Sequence, residues 1–409
     1  MKDQLDAQPV ASTKWPVHPL GKVAKFLGGG TPSKSRPEFW NGDIPWVSPK
    51  DMKSDIVSDS LDKITPQAVA SSAAKVIPVH SLLIVVRSGI LARTVPTALS
   101  GRELTINQDL KAICPSRDLH PRFLAYFMRA AEREVLATVS RGATVHRLST
   151  DVLKSLEIPL PPLEEQKRIV AVLDRAFAAL DRARDHAEAN LADATHLYER
   201  KREVFLQTPG SGWKQTTVGN VCQRFEYGTS AKSNPDGRVP VLRMGNLQGG
   251  EIDWTNLVYT DDEDDIERLL LKPGDVLFNR TNSADHVGKT AIFRENRTAI
   301  FAGYLIRLHL KIQLVDSEFI NVFLNSDAAR KYGRSIMGKS VNQANISASK
   351  LKEYPLLLPP LDEQRRIVSI LGELRQNVGD LSRKYAMAIA DIADLRQSIL
   401  QKAFSGQLT

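Results

Sequence analysis

The chain has 409 residues, room for two to four ordinary domains, and its 42% hydrophobic and 25% charged residues exclude a disordered or fibrous chain. Fifty-five Lys and Arg against 47 Asp and Glu give a net charge of +8, and the pI of about 9.3 points to a polyanionic partner without identifying one. Cys114 and Cys222 are too few for a disulfide framework and lack metal-ligand spacing, which fits a reducing cytoplasm; no stretch approaches the 18 apolar residues of a membrane span, and Met1 to Trp15 has no signal-peptide core.

In chain order, Trp15 opens a region of short β-branched runs such as Ile44 to Val47 and Leu82 to Val86, punctuated by Gly, Pro, Asn and Asp, with a short helix predicted near Pro121 to Leu136. The segment Ile158-Pro159-Leu160-Pro161-Pro162-Leu163-Glu164-Glu165-Gln166-Lys167-Arg168-Ile169-Val170 follows, leading into a long stretch without proline until Pro209. Trp213 then opens a second region of the same kind, with Val239 to Leu242, Val276 to Arg280, Ala299 to Leu310 and a helix near Ser317 to Tyr332. It ends in Leu356-Leu357-Leu358-Pro359-Pro360-Leu361-Asp362-Glu363-Gln364-Arg365-Arg366-Ile367-Val368, the first motif again at an offset of 198, the same offset that separates the two tryptophans. The chain is an internal duplication.

Each double proline fixes a helix entry, and the acidic pair after it suits a helix N-terminus. A 4,3 apolar spacing then runs through Val170, Leu173, Phe177, Leu180, Arg184, Ala187, Leu191, Ala194, Tyr198, Lys201 and Phe205. It returns in Val368, Leu371, Arg375, Val378, Ser382, Tyr385, Ile389, Ile392, Arg396, Ile399 and Ala403. Two helices of some 40 residues, about 60 Å long, are expected to pair antiparallel, with Val170, Leu173, Phe177, Leu180, Leu191, Val368, Leu371, Val378, Ile389, Ile392 and Ile399 as the interhelix contacts. The expected architecture is α+β: two tandem modules separated by a coiled-coil spacer, related by a pseudo-two-fold axis. The boundaries read as 1–160, 161–207 (first long helix), 208–358, and 359–409 (second long helix and tail).

Complete catalytic constellations are missing. Val287-Gly288-Lys289-Thr290 suggests a phosphate loop, but Ser283 stands where that pattern requires glycine, leaving a surface loop with a phosphate-seeking lysine. Pro235-Asp236 followed by Glu251-Ile252-Asp253 lacks the lysine of a nuclease carboxylate set. His80, His146 and His286 make no metal-binding pair, Gly28-Gly29-Gly30-Thr31 lacks dinucleotide spacing, and no Gly-x-Ser-x-Gly elbow occurs. The only Asn-Pro is Asn234-Pro235-Asp236-Gly237, not an adenine-methyltransferase loop. The acidic run Asp261 to Glu267 is expected to be a solvated face.

A duplicated α+β module, each copy followed by Leu-Pro-Pro-Leu-x-Glu-Gln-x-x-Ile-Val and a long helix, resembles the DNA-specificity subunit of type I restriction-modification systems. Leu395 to Leu408 is similar to that family's ending, and Ile44-Pro45-Trp46-Val47, Gly274-Asp275-Val276-Leu277 and Val287-Gly288-Lys289 fit as well. The resemblance covers essentially the whole chain. It implies two target-recognition domains, 1–160 and 208–358, in a non-catalytic subunit that reads a bipartite, asymmetric sequence in double-stranded DNA. The implied partners are two modification methyltransferase subunits, which bind S-adenosylmethionine and methylate adenine at N6, and motor-nuclease restriction subunits using ATP and Mg; no cofactor or metal is expected on this chain. The alternatives are a helical scaffold without DNA specificity and the specificity part of another type of methyltransferase-nuclease.

Groove reading needs Arg for guanine, Asn or Gln for adenine, and Lys or Arg for phosphates. The DNA-binding candidates on matching loops are Ser48, Lys50, Arg87, Ser88, Arg141, Thr144, His146 and Arg147 in the first module. In the second they are Arg243, Asn246, Arg280, Thr281, Asn282, Lys289, Lys339, Asn342 and Gln343. For Arg87 and Arg280, at equivalent strand ends, a salt bridge within the module is the competing expectation.

Overall fold

The computed structural model describes residues 14–340 and 343–408. It divides into two compact units, residues 1–187 with 387–409, and residues 188–386. Among the described residues no helix is long and apolar enough to cross a membrane.

Unit 1 carries α1 (Leu20–Val23), α2 (Pro66–Ala70), α3 (Pro121–Ala130), α4 (Glu132–Ala137), α5 (Thr150–Ser155) and the first part of α6 (Leu163–Gln207). Its five-stranded sheet runs in the order Ala24–Gly28, Leu110–Pro115, Leu82–Val85, Thr97–Ser100, Ile56–Val57. Leu82–Val85 is apolar at every position and buried on both faces, as a central strand requires. A four-stranded sheet places Ile44–Val47 between Asp62–Ile64, antiparallel, and Leu104–Ile106, parallel. The entry strand Val17–Pro19 pairs with Glu157–Pro159, tying the module's two ends together before α6 begins.

Unit 2 repeats this order with α7 (Val218–Val221), α8 (Glu263–Leu269), α9 (Ser317–Leu324), α10 (Asp327–Ile336), α11 (Ala348–Lys352) and the first part of α12 (Leu361–Ser405). Cys222–Tyr227, Leu305–Leu310, Val276–Asn279 and Thr290–Ile292 form its main sheet, and Lys214–Thr217 pairs with Pro355–Leu358 as the end tie. The acidic run becomes the start of α8: Asp262 caps it by accepting from Asp265 N, and the following carboxylates face the positive end of the helix dipole.

Both long helices start at their double prolines, and one buried glutamine anchors each. Gln166, fully buried, accepts from His120 N at 2.8 Å and donates to the carbonyls of Asp118 and Pro161 at 2.8 Å. Gln364 does the same with Asp316 N and the carbonyls of Leu314 and Pro359. Helix α12 ends in a Schellman arrangement: Gly406 has φ +78, and Gln407 N donates to Lys402 O at 3.0 Å.

The 4,3 positions face inward. Every one in both helices is buried or half-buried except Lys201, while Leu197, Val204, Met387 and Leu395, off that stripe, are exposed. In unit 1, Ile169, Val170, Leu173 and Phe177 of α6 share a core with Leu400, Ala403 and Phe404 of α12. There Arg396 lies 4.5 Å over the Phe177 ring and 2.8 Å from Asp181, and Phe404 packs 5.0 Å from Phe123 of α3. In unit 2 the pairing is reversed in sequence, with Leu206 of α6 beside Ile367 and Leu371 of α12. The start of each helix therefore packs with the end of the other.

Candidate nucleic-acid interface

In unit 1 the strand Arg87–Ser88 continues from the central strand and pairs with His146–Arg147. A bridge between Ser140 and Arg147 closes the loop between them. This brings Arg87, Ser88, Arg141, Thr144, His146 and Arg147 onto one small polar platform. Arg87, Arg141, Thr144 and Arg147 are exposed, and His146 is half-buried with an Nδ1 that has no hydrogen-bond partner. Ser88 caps the following turn by accepting from Ile90 N, and Arg87 Nε lies 3.9 Å from Asp109, a loose ion pair.

Unit 2 builds the same platform with one more strand. Thr281–Asn282 pairs with Gln343–Asn345, which pairs with Gly338–Ser340. Arg280, just before it, stacks 5.0 Å over the Tyr227 ring, and its Nη1 is 3.4 Å from Gly303 O. Among the described residues Arg280 has no carboxylate within ion-pair distance, unlike Arg87, and its Nε is buried without a partner. Tyr227, which the sequence reading did not single out, is therefore the support that orients this guanidinium; an aromatic at an exposed strand end was its only sequence signal. Its hydroxyl accepts from Ala348 N at 3.0 Å. Asn282 is half-buried and Gln343 exposed; Lys339 lies on the outer strand, and Asn342 falls outside the described residues.

Ser48, Lys50, Arg243 and Asn246 belong to a second turn, after the strand Ile44–Val47 in unit 1 and Val239–Leu242 in unit 2, while Lys289 precedes the strand Thr290–Ile292. Ser48 is 7% exposed, and both its N and Oγ donate to Asp51 Oδ2. Asn246 is 3% exposed: its Oδ1 accepts from Arg243 N, and its amide nitrogen donates to the carbonyls of Asp253 and Thr255. These side chains build their turns. The structural partners are thus Ser48 with Arg243 and Asp51 with Asn246. Thr281 is likewise buried, its hydroxyl accepting from Asn345 Nδ2 at 2.8 Å. Lys50 pairs with Asp62 at 2.8 Å, a bond that holds its ammonium above the usual lysine range. Arg243 is exposed and donates to Asn256 O at 2.7 Å; Lys289 donates to Gln248 Oε1 at 3.0 Å.

What the two platforms can do is present cationic and amide side chains from a rigid sheet edge, the chemistry of phosphate and base-edge contacts. They differ in side-chain content while sharing strand pairing.

Comparison with known proteins agrees with this duplication. The model of the type I restriction modification DNA specificity domain matches twice, over residues 12–188 and 210–384. The chain is 24% identical over 422 residues to the type I restriction enzyme EcoKI specificity subunit of Escherichia coli strain K12, covering 97% of this chain and 89% of that one. It is 36% identical over 221 residues to the EcoR124I/EcoR124II specificity subunit of Escherichia coli, an alignment spanning 54% of this chain and 53% of the relative. In fold it is similar to the HsdS subunit from Thermoanaerobacter tengcongensis, with a TM-score of 0.57 at 22% identity over 96% and 97% of the two chains. A chain from a structure of complex assembly and conformational transition in the type I R-M system gives 0.77 at 22% identity, over 96% and 98%. With both modules matched, the chain belongs to the type I restriction-modification DNA specificity family, as a two-domain specificity subunit.

Proposed function

We propose that the chain is the non-catalytic reading subunit of its complex, in which each module recognises one half of a bipartite, asymmetric DNA sequence and α6 with α12 sets the unspecified spacer between the halves. Its partners are two modification methyltransferase subunits, which carry S-adenosylmethionine and methylate adenine at N6. Motor-nuclease subunits using ATP and Mg complete the restriction complex, in the reducing cytoplasm. The observation that carries this reading is the pair of platforms: one strand arrangement, presenting Arg141, Thr144 and Arg147 in unit 1 and Gln343 beside a stacked Arg280 in unit 2. Two equivalent frames with different polar ends are what reading two different half-sites demands.

The experiment is selection from a pool of randomised duplexes by the full chain assembled with its modification subunits, at two salt concentrations. Enrichment of two defined blocks at fixed separation is expected. Binding without sequence enrichment, falling steeply with salt for every duplex, is the behaviour of a scaffold with phosphate contacts alone and contradicts the reading.

A further inference from the structure

In unit 2 a cleft of about 280 Å³ lies among α6, the α9–α10 turn, α12 and the Gly249-Gly250 turn. Three arginines line it from three helices: Arg202, Arg330 and Arg375. Two of them have their charge matched locally. Arg202 is 3.3 Å from Glu203 Oε1 and 3.4 Å from Asp327 Oδ1; Arg375 is 2.9 Å from Glu251 Oε1 and also donates to Gly249 O. The turn must be glycine: Gly249 and Gly250 have φ +56 and +88, and a Cβ on Gly250 would stand 3.2 Å from Asn321 Nδ2 and 3.5 Å from Arg375 Nη1.

Arg330 is the exception. Among the described residues it has no carboxylate within ion-pair distance, its one side-chain hydrogen bond is a 3.4 Å contact from Nη2 to Asn325 Oδ1, and its Nε is buried without a partner. Glu199 and Asp327 also line the cleft and act on Arg330 only through space. Lys289, from the Val287-Gly288-Lys289-Thr290 loop, also has no carboxylate within ion-pair distance among the described residues, and its ammonium donates to Gln248. Burial, and after it the charge of Arg330, hold this lysine below its usual range. Unit 1 contrasts with this, for Arg396 has Asp181 and Arg122 has Asp174.

A guanidinium does not shed its proton, so a half-buried one that no carboxylate pairs directly, with Glu199 and Asp327 acting only through space, gains when an anion meets it. Phosphate suits the arrangement, since Arg presents a fork to its oxygens and Lys adds a point charge. We propose that this cleft is a phosphate-binding site, with Arg330 as the gripping group and the Tyr198 hydroxyl as a flanking donor, while Lys289, outside the lining, adds its charge through space. Two sources supply that chemistry. A duplex backbone phosphodiester rests on the DNA-reading function proposed above; free phosphate or a nucleotide does not.

The test uses the full chain as wild type, R330Q and R330K. Inorganic phosphate is titrated by phosphorus NMR, and a selected duplex and a random duplex are titrated at two salt concentrations. Wild type is expected to bind phosphate, R330Q to lose about tenfold in affinity and R330K to retain part of it. If the source is the DNA backbone, R330Q also loses about tenfold on both duplexes alike, and its salt slope falls by about one. If the source is a free anion, duplex binding stays at wild type while phosphate affinity falls. R330Q matching wild type for phosphate and for both duplexes overturns the proposal. Failure of the DNA-reading function is a separate outcome, in which wild type binds selected and random duplexes equally.

Discussion

Gln166 and Gln364 each satisfy one backbone N–H and two carbonyls inside the joint between a module and its long helix, with no water-accessible alternative for the bonds. Replacing either by alanine leaves buried polar groups unmatched, and a loss of about 2–4 kcal/mol is expected for the unit concerned. Urea unfolding of Q166A and Q364A, followed separately for each unit, checks this; wild-type midpoints would show the clamps to be dispensable. A half-buried carboxyl sets an acid limit. Burial pushes the Glu226 carboxyl up, but hydrogen bonds from Arg307 and His309 and the charge of Arg307 outweigh that and hold it below the usual glutamate value of 4.5. A depressed carboxyl contributes stability above its unfolded value and loses it as pH falls through the folded one. Unit 2 should therefore lose stability below pH 4.5, and E226Q should flatten that dependence; an unchanged acid limb in thermal melts of the variant contradicts the assignment.

At the scale of elements, the long helices were legible because their information is periodic. A 4,3 stripe without proline, entered through Pro-Pro and an acidic pair, specifies helix, inward face and start together. Lys201 alone departs, a seam position whose long stem leaves its charge in solvent. The platforms were legible only in outline. The sequence marks polar residues near Gly142 and Gly338, but whether a polar side chain reaches outward or is spent inside its module depends on backbone geometry that residue type does not reveal. Ser48 and Asn246 are spent on turns closed by partners close in sequence, Thr281 on Asn345 across the sheet, and Tyr227 under Arg280 was hidden because 53 residues separate them. The seam gives a prediction of its own. Seven residues inserted into α6 with seven into α12 keep the 4,3 register and add about 10 Å of helix, or about three base pairs of DNA. The spacer between half-sites should lengthen by that amount with the half-site bases unchanged, as read by the duplex selection; altered bases at an unchanged spacer would refute the ruler role.

For the whole molecule, the proposed reading puts two readers on one polypeptide, so that engagement of one half-site would make engagement of the second an intramolecular event. Linking modest readers in this way raises affinity by orders of magnitude only when both half-sites are present at a compatible separation. Selectivity then resides in the combination, which explains why two frames with unlike polar ends are more useful than two identical ones. The central claim is that this chain alone decides which sequence its complex acts on. Long-read sequencing of N6-methyladenine across the host genome, with the gene intact and deleted, tests it most directly. The account predicts an interrupted two-part motif, methylated on both strands, that vanishes on deletion; a motif that persists without the gene, or one that is continuous, contradicts it.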